Sequence, residues 1–338
     1  MKRSKLFLYS ILMFSLVVVL AACGGGESDG AADGNGDANG DADAGGGDAP
    51  SAISLLTGGT SGTYYPLGGE MAQIITEETG IQTDALSSNA SADNVISLQE
   101  GEAELAFVQT DVVAFAKEGV NAFEGNPVDN VLAIGSLYPE TIQIVVVNPE
   151  IETVEDLAGM TVSVGAPGSG TYVNAEQILE IHGMTMDDID AQHLDFGEST
   201  GGMQDGNIDA AIITAGTPTG AVEGLGATTE YRILEIEQDK IDELIEKYPY
   251  YAEDTIPAGT YVGIDEDVQT VAVGAMLAVT DSLSEDVVYE ITKAIYDNAD
   301  QITHSKGEFI TPEGGVQGIG IDFHPGAEKY FQEAGVLD

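Results

Sequence analysis

Cysteine, tryptophan and basic residues are scarce in this chain. Its 338 residues include one cysteine, no tryptophan and ten lysines and arginines, against 58 aspartates and glutamates. The formal net charge of −48 excludes nucleic acid as a partner, because phosphate binding requires clustered cations. The same charge argues against attraction to an anionic lipid surface. With a single cysteine, the chain forms no disulfide within itself.

The excess of acidic residues has two interpretations. It could bind cations or basic ligands, or it could keep the surface soluble in concentrated salt, where self-repulsion is screened. The acids are scattered over the whole chain, which favours the second interpretation. The composition therefore predicts a saline environment and leaves the substrate open.

The N-terminus has the anatomy of a secretory signal. Basic residues within the first five positions precede an apolar run over 6–20, which is short for a membrane helix. The sequence Leu20-Ala21-Ala22-Cys23 resembles a bacterial lipobox, in which the cysteine is diacylated and becomes the new N-terminus. The alternative is an ordinary signal with a chance cysteine. We expect a lipoprotein signal peptide over 1–22 and an extracytoplasmic protein, lipid-anchored to the cell membrane through Cys23.

Residues 23–50 are rich in glycine, aspartate and alanine and lack the apolar surface needed to fold. The Asp and Asn repeats superficially resemble a calcium loop. From Asp33, however, the sixth and twelfth positions are Ala38 and Ala44, where an EF-hand needs Gly and Glu. We therefore predict a flexible acidic tether.

Strand and helix patterns alternate from residue 51 onward. Strands are predicted at 53–57, 81–85, 105–108, 131–137, 142–147, 161–165, 193–196, 210–214 and 270–279; helices are predicted at 65–79, 91–100, 111–117, 171–182, 199–205, 218–224, 284–299 and 326–334. Strands and helices alternating at this spacing predict an α/β fold with parallel sheets and helices on both faces.

The length of this region predicts two lobes, because 288 residues exceed what one core usually spans. The long apolar runs 142–147 and 270–279 are each interpreted as a strand that leaves one lobe and enters the other. Lobe 1 would then comprise 51–140 plus 270–338, with lobe 2 inserted at 141–269. Two such hinge crossings leave a cleft between two parallel-sheet lobes, an arrangement that closes on a ligand.

Two glycine-rich loops each lie between a predicted strand and a predicted helix. One covers 57–69 and the other 164–171, and both carry serine and threonine hydroxyls. Backbone N–H groups at a helix N-terminus form an anion site. No basic residue lies in either loop, so a carboxylate would be held by helix N-termini and hydroxyls. The missing lysine also excludes a Walker-type phosphate loop.

The first loop, Gly59-Thr60-Ser61-Gly62-Thr63-Tyr64-Tyr65-Pro66-Leu67-Gly68, is similar to the signature of the TAXI-type solute receptors of TRAP transporters. The resemblance continues through five further segments: Phe107-Val108-Gln109-Thr110-Asp111, Asp156-Leu157-Ala158-Gly159, Gly165 to Thr171, Ala215-Gly216-Thr217-Pro218, and His324 to Tyr330. It implies the type II periplasmic-binding-protein fold, a TRAP membrane permease as partner, and glutamate, glutamine or a related dicarboxylate as ligand. One departure is Ser88-Asn89-Ala90-Ser91, where relatives have Thr-Gly-Gly-Ser.

We predict a ligand site from these loops and from residues that follow other strands, since parallel sheets bind ligands at the carboxyl ends of their strands. One of Tyr64 and Tyr65 should face the ligand and the other the core, with Tyr64 freer to reach the cleft. Tyr138 is either a wall of the site or a hinge packing residue. The predicted ligand-binding residues are Gly59, Thr60, Thr63, Tyr64, Ser91, Gln109, Tyr138, Ser169, Gly170, Thr171, Gly216 and Thr217.

The function predicted from these features is a monomeric extracytoplasmic receptor that captures a small carboxylate by cleft closure and delivers it to a TRAP permease. The alternatives are the binding protein of an ABC-type importer or a sensor, and a secreted enzyme. An enzyme is disfavoured because no Gly-x-Ser-x-Gly elbow, metal-binding histidine pair or activated thiol occurs in the sequence. We expect no catalytic residue, no metal and no cofactor.

Overall fold

The computed structural model describes residues 49–338. The predicted signal peptide, the predicted lipidation site Cys23 and nearly all of the predicted tether lie outside the described residues. Within 49–338, no helix is both long and apolar enough to cross a membrane.

The described residues form a mixed sheet of ten strands in the order β2-β1-β3-β10-β4-β7-β5-β6, with β8 added to β4 and β9 to β10. The strands are β1 (Ala52–Leu56), β2 (Gln82–Leu86), β3 (Leu105–Gln109), β4 (Val131–Val146), β5 (Thr161–Ser163), β6 (Asp190–Gln192), β7 (Ala210–Ala215), β8 (Arg232–Leu234), β9 (Ala252–Ile256) and β10 (Val268–Thr280). Strands β1–β3 are mutually parallel, and so are β5–β7. The predicted α/β class is confirmed.

The prediction of purely parallel sheets is wrong at the centre. β4 and β10 pair with each other antiparallel, and they are antiparallel to β7 and β3 respectively. Residues 131–137 and 142–147, predicted as two strands, belong to the single strand β4, which continues through Pro139 opposite Gly274. The first part of β4 pairs with β10 and its end pairs with β7, so this strand connects the β1–β3 half of the sheet with the β5–β7 half.

Ten α-helices flank the sheet in the described region. They are α1 (Tyr64–Thr79), α2 (Ser91–Glu100), α3 (Thr110–Glu118), α4 (Gly170–Ile181), α5 (Phe196–Gln204), α6 (Gly220–Gly226), α7 (Gln238–Lys247), α8 (Glu285–Asp297), α9 (Pro312–Gly315) and α10 (Pro325–Glu333). The first three end at glycines with positive φ, Gly80, Gly101 and Gly119, which close the last turn in the left-handed conformation.

The predicted strand at 193–196 is wrong. β6 ends at Gln192 and α5 begins at Phe196. Asp195 caps this helix: its carboxylate accepts from the N–H of Glu198 at 2.8 Å, and the Glu198 carboxylate accepts from the N–H of Asp195 at 3.2 Å. This reciprocal capping box fixes the helix start three residues earlier than its apolar pattern predicts.

Alternation along the strands places apolar side chains on both faces of the sheet. Leu105 and Phe107 of β3 pack with Phe331 of α10 in one cluster, whereas Ala106 and Val108 pack against α2 and α3 in another. Two further clusters lie on the β5–β7 half, one with α4 and α7 and the other with α5 and α6. The loops at the strand ends between these cores are therefore held from both sides.

Candidate functional site

A cavity lies at the carboxyl ends of strands from both halves of the sheet. The loops after β1, β2 and β3 form one side, and the loops after β5, β6 and β7 form the other. Its volume is about 50 Å³, enough for several waters or a small ligand, since one water needs roughly 10–15 Å³. The lining residues are Gly58, Gly59, Gly62, Thr63, Tyr64, Ser88, Asn89, Ala90, Ser91, Gln109, Glu140, Ala166, Ser169, Gly170, Thr171, Asp195, Phe196, Thr214 and Ala215.

Most of the predicted ligand-binding residues meet in this cavity. Those that line it are Gly59, Thr63, Tyr64, Ser91, Gln109, Ser169, Gly170 and Thr171. They come from four separate loops of the chain. Their contact with a ligand stays a prediction.

Four predicted residues do not line the cavity. Thr60 is exposed on the surface of the first loop. Tyr138 is buried in the core beside the cavity wall. The carbonyl of Gly216 accepts hydrogen bonds from the hydroxyls of Thr63 at 3.1 Å and Thr219 at 2.9 Å, and Thr217 precedes a cis proline. Gly216 therefore holds the segments of Thr63 and Thr219 in place.

The environments of the two tyrosines of the first loop differ in part from the prediction. Tyr64 is buried and lines the cavity, and its ring packs on Phe107 with the centroids 5.0 Å apart. Tyr65 is 38% exposed and so faces solvent instead of the core. Tyr64 is the first residue of α1, and that position turns its ring towards the sheet.

The N-termini of α1 and α4 supply the hydrogen-bond donors of the site. The first N–H groups of a helix have no acceptor within the helix. In α4, the Ser169 hydroxyl accepts a hydrogen bond from the N–H of Tyr172 at 3.2 Å. The N–H groups of Gly170 and Thr171 are then left for a ligand. Both helix ends also carry the partial positive charge of the helix dipole. An anion can therefore be bound here without a basic side chain.

Hydrogen bonds cross the cavity between its two sides. The N–H groups of Ala92 and Asp93, at the start of α2, donate to the carbonyl of Gly168 at 3.0 and 3.2 Å. The N–H of Ala221 donates to the carbonyl of Ser61 at 3.0 Å. These contacts engage the N-termini of α2 and α6 and hold the two sides together around the cavity.

A buried polar network joins α3 to α4 behind the cavity. The Asn174 amide donates to Asp111 at 3.0 Å and to the hydroxyl of Tyr251 at 2.8 Å, and the Gln109 amide donates to Asn174 at 3.3 Å. Asp111 is fully buried, and loss of hydration raises its pKa from 3.8 to about 6. Its second carboxylate oxygen has no hydrogen-bond partner among residues 49–338.

Glu140 is the main lining residue that the sequence did not reveal. It lies in β4, is 2% exposed, and accepts a hydrogen bond from the Tyr64 hydroxyl at 2.7 Å. Burial raises the pKa of this carboxyl from 4.5 to about 8. An acidic residue inside an apolar strand was the available signal. With 58 acidic residues in the chain, that signal could not be distinguished from surface acids.

Asp195, Phe196 and Thr214 are the other functional candidates that the sequence reasoning missed. Asp195 and Phe196 fell in the wrongly predicted strand. The spacing Asp195-x-x-Glu198 was the signal, because it is typical of a capping box at a loop end. Thr214 is the next-to-last residue of β7, and its hydroxyl has no partner within the described part of the chain.

The turn that departs from the TAXI pattern carries local strain. Ala90 precedes α2 with φ of 70° and ψ of −147°, a conformation that favours glycine. Its methyl group lines the cavity, and its N–H donates to the Ser88 hydroxyl at 3.1 Å. Compared with a glycine, the alanine at this position narrows the cavity at some conformational cost.

Histidines serve structural roles at the positions that the structure describes. The Nδ1 atoms of His304 and His324 accept from backbone N–H groups at the starts of their helical segments, and His182 bonds the carbonyl of Ile178 at 2.7 Å. Among residues 49–338, no three or more His, Cys, Asp or Glu side chains group around a possible metal position.

Solved structures share this architecture at low sequence identity. A protein from Bordetella bronchiseptica RB50 is 16% identical with a TM-score of 0.53, over 84% of this chain and 82% of that one. A periplasmic transporter is 13% identical with a TM-score of 0.51, over 83% and 92%. The alkanesulfonate-binding protein SsuA from Xanthomonas axonopodis pv. citri, bound to MOPS, is 14% identical with a TM-score of 0.47, over 84% of each chain.

The first two similarities show that this chain has the fold of those proteins. The model of the NMT1-like family matches residues 55–335, which is most of the sequence. This chain therefore belongs to the NMT1-like family.

Proposed function

We propose that this protein is an extracytoplasmic solute-binding receptor that captures a small carboxylate and delivers it to the permease of a TRAP-type transporter. One observation carries the proposal: two Gly/Ser/Thr loops, each ending at a helix N-terminus, meet in one cavity from opposite sides of the sheet. Such a site binds an anion through backbone N–H groups and hydroxyls.

In this cavity a carboxylate would be bound by helix N-termini and hydroxyls and not by basic side chains. Among the described residues, no lysine, arginine or histidine lines the cavity. The carboxylate would then be held by the N–H groups of Gly170 and Thr171 together with the hydroxyls of Ser91 and Thr171. Hydrogen bonds to a charged group contribute about 1.5–3 kcal/mol each, so each of these donors would strengthen binding roughly tenfold or more.

Capture would work by closure of two lobes, 51–140 plus 270–338 and 141–269. A ligand stabilises the closed form only if it makes contacts there that the open form lacks. The cavity provides such contacts, because its walls come from both halves of the sheet. No bond is made or broken in this mechanism, and the lipid on Cys23 would keep the receptor close to its permease.

The assignment to TRAP transport is supported by the resemblance of the first loop to TAXI-type receptors. The fold is shared with a periplasmic transporter and does not by itself distinguish a TRAP receptor from an ABC-type receptor or a sensor. A neighbouring gene for a multi-span TRAP permease is the expected observation, and a neighbouring ATPase gene would favour the ABC alternative.

A ligand screen tests the carboxylate assignment. Thermal unfolding and calorimetry in high salt are to be compared for glutamate, glutamine, 2-oxoglutarate, succinate, fumarate and malate. A ligand that binds only the folded protein raises the unfolding midpoint as its concentration increases. Binding of a sugar or a cationic solute, with none of these acids bound, would refute the assignment.

Substitutions in the second loop test the site itself. Ser169→Ala with Thr171→Ala should weaken carboxylate binding about tenfold or more, since at least one hydrogen bond to a charged group is lost. Ser169 also caps α4, so the variant should lose about 1 kcal/mol of stability. Ser284→Ala is the matched control, because it removes the equivalent cap of α8, which does not line the cavity. Unchanged affinity in the double variant would remove this loop from the site.

A further inference from the structure

A buried hydrogen-bond network joins the two proposed lobes one helical turn away from the cavity. Asn174 of α4 belongs to the lobe 141–269, and its amide donates at 3.0 Å to the carboxylate of Asp111 in α3, on the other lobe. The amide of Gln109, which is also on the other lobe, donates to Asn174 at 3.3 Å. All three side chains are at most 2% exposed. These hydrogen bonds must break when the lobes separate.

Apolar contacts surround this network and follow the same boundary. Val173 of α4 is buried in one cluster with Val112 and Phe115 of α3. The ring of Tyr250 packs edge-on against the ring of Phe115, with the centroids 5.4 Å apart. The Asp111 carboxyl is therefore kept from water as long as α4 lies against α3.

Helices α3 and α4 both begin at the cavity, so ligand binding and this network depend on the same motion. Gln109 precedes α3, Gly170 and Thr171 begin α4, and all three line the cavity. Asn174 lies three residues beyond Thr171, which corresponds to about 4.5 Å along a helix axis. A displacement of α4 that brings Thr171 to a ligand therefore also brings Asn174 to Asp111.

The charge of the Asp111 carboxylate is disfavoured while α4 lies against α3. One of its oxygens accepts from Asn174, and the other has no partner among residues 49–338. No ion pair in the described part of the chain includes Asp111. Loss of hydration outweighs the bond from Asn174 and raises the pKa of this carboxyl from 3.8 to about 6. When α4 moves away, water reaches the carboxyl and its pKa returns towards 3.8.

The titratable groups near Asp111 do not change charge in the same pH range. Glu140 of β4 feels the charge of Asp111, and burial raises its pKa to about 8, so that it stays protonated below pH 7. Tyr250 and Tyr251, which precede β9, also feel this charge and stay neutral, because burial raises the pKa of both above 10. The side chains that α4 contributes to the network are uncharged amides. Asp111 is therefore the group that titrates between pH 5 and 6.5.

We propose that Asp111 and Asn174 form a proton-dependent closure contact, so that closure of the receptor on its ligand is coupled to the uptake of a proton by Asp111. This inference rests on the proposed function as a receptor that closes, and it adds a condition for capture and release. Neither residue lines the cavity. Both are positioning residues, which hold the first turn of α4 at the ligand.

Acidic pH should favour closure for this reason. The closed form binds the proton of Asp111 more tightly than the open form does, so this contribution to closure is present at low pH and is lost as the pH rises through 6. With pKa values of about 6 in the closed form and 3.8 in the open form, the affinity for a ligand that requires closure should fall about eightfold between pH 5 and 6.5. A bound acid is then released more readily at neutral pH.

Calorimetric titration with the acids of the ligand screen, at pH 5 and 6.5 and constant ionic strength, tests the inference. The wild-type protein should lose about eightfold more affinity over this interval than Asp111→Asn, whose neutral amide takes up no proton. Protonation of the ligand itself is the same for both proteins and cancels in this comparison. Titration at pH 5.5 in two buffers of different ionisation enthalpy should show that the wild type takes up about 0.7 proton more per bound ligand than Asp111→Asn.

Two further variants and a thermal scan separate the closure contact from a folding defect. The amide oxygen of Asp111→Asn still accepts from Asn174, so its thermal midpoint should not fall. Glu118→Gln is the matched control: it removes one negative charge from an exposed position of α3 and should keep the wild-type pH dependence. Asn174→Asp should act in the opposite direction to Asp111→Asn. Two carboxyls would then face each other between the lobes, so the loss of affinity between pH 5 and 6.5 should become larger than in the wild type.

The possible results distinguish this inference from the proposed function. If the acids bind and Asp111→Asn shows the same pH dependence as the wild type, the inference is wrong while the carboxylate receptor stands. An affinity of the wild type that rises with pH relative to Asp111→Asn would contradict it as well. If none of the acids binds at either pH, both proposals fail.

Discussion

Burial of the Asp111 carboxyl should make this protein less stable as the pH rises, whereas most acidic side chains of a folded protein have the opposite effect. Its pKa rises from 3.8 to about 6, so the folded protein holds this proton more tightly than the unfolded chain does. The acid therefore destabilises the fold at neutral pH, and this penalty disappears as the pH falls through 6 towards 3.8. A shift of about two pKa units corresponds to about 3 kcal/mol.

Asp111→Asn should remove that penalty. The amide oxygen of the new side chain can still accept from Asn174, as the carboxylate does at 3.0 Å. Linkage then gives a gain in unfolding free energy of about 1 kcal/mol at pH 4.5 and about 3 kcal/mol at pH 7. Aspartate and asparagine also differ in ways that do not depend on pH, and such a difference adds equally to the gain at pH 4.5 and at pH 7. The quantity to measure is therefore the increase in the gain between these two pH values, about 2 kcal/mol.

Urea unfolding at fixed ionic strength, repeated between pH 4.5 and 8, gives these free energies directly. Asp156→Asn is the matched control, because hydrogen bonds from the backbone of Glu152 and Thr153 lower the pKa of this exposed acid. That variant should lose stability at neutral pH and not gain it. A stability difference between Asp111→Asn and the wild type that stays constant with pH would refute the reasoning.

Two further substitutions probe the backbone of the site. Gly170→Ala places a methyl group 1.5 Å from the side-chain oxygen of Gln109, so calorimetry should show at least a tenfold loss of ligand affinity. Gly69→Ala is the control, because Gly69 is a helical glycine with open space around it, and this variant should bind the ligand normally. Ala90→Gly relieves the positive φ of 70° and should raise the unfolding free energy by about 1 kcal/mol in urea titrations; a destabilised variant would contradict this account.

Local signals in the sequence predicted much of the fold. The limits of α1, α2 and α3 were predicted to within one residue, and each of these helices is followed by a glycine that closes its last turn. The direction of β10 could not be predicted in the same way, because it depends on which strands lie beside it and not on local pattern. Residues 131–137 and 142–147 were predicted as two strands, with Pro139 between them. In the structure β4 continues through it, with pairing shifts nearby that absorb the irregularity.

The candidate site was predictable where glycine and hydroxyl groups cluster. The loops that carry Thr63 and Ser169 were identified because such residues between a strand and a helix have a clear physical use. Glu140 was missed because only its contacts in the folded protein distinguish it from the other acids. The Tyr64 hydroxyl that donates to it lies 76 positions away in the chain. No local pattern reveals a partner at that distance.

The use of two adjacent strands, β4 and β10, to join the halves of the sheet limits the degrees of freedom of any opening motion. A single connecting strand would let one half rotate about the strand axis, whereas two paired strands resist that rotation. Bending across both remains the soft mode, and it is softest near Pro139, which lacks an N–H for the ladder, and near the bulges between 275 and 278. The loops 57–69 and 164–171 would then separate along one reproducible arc. A partner that contacts both halves could then distinguish an open cavity from a closed one by the angle between the two halves.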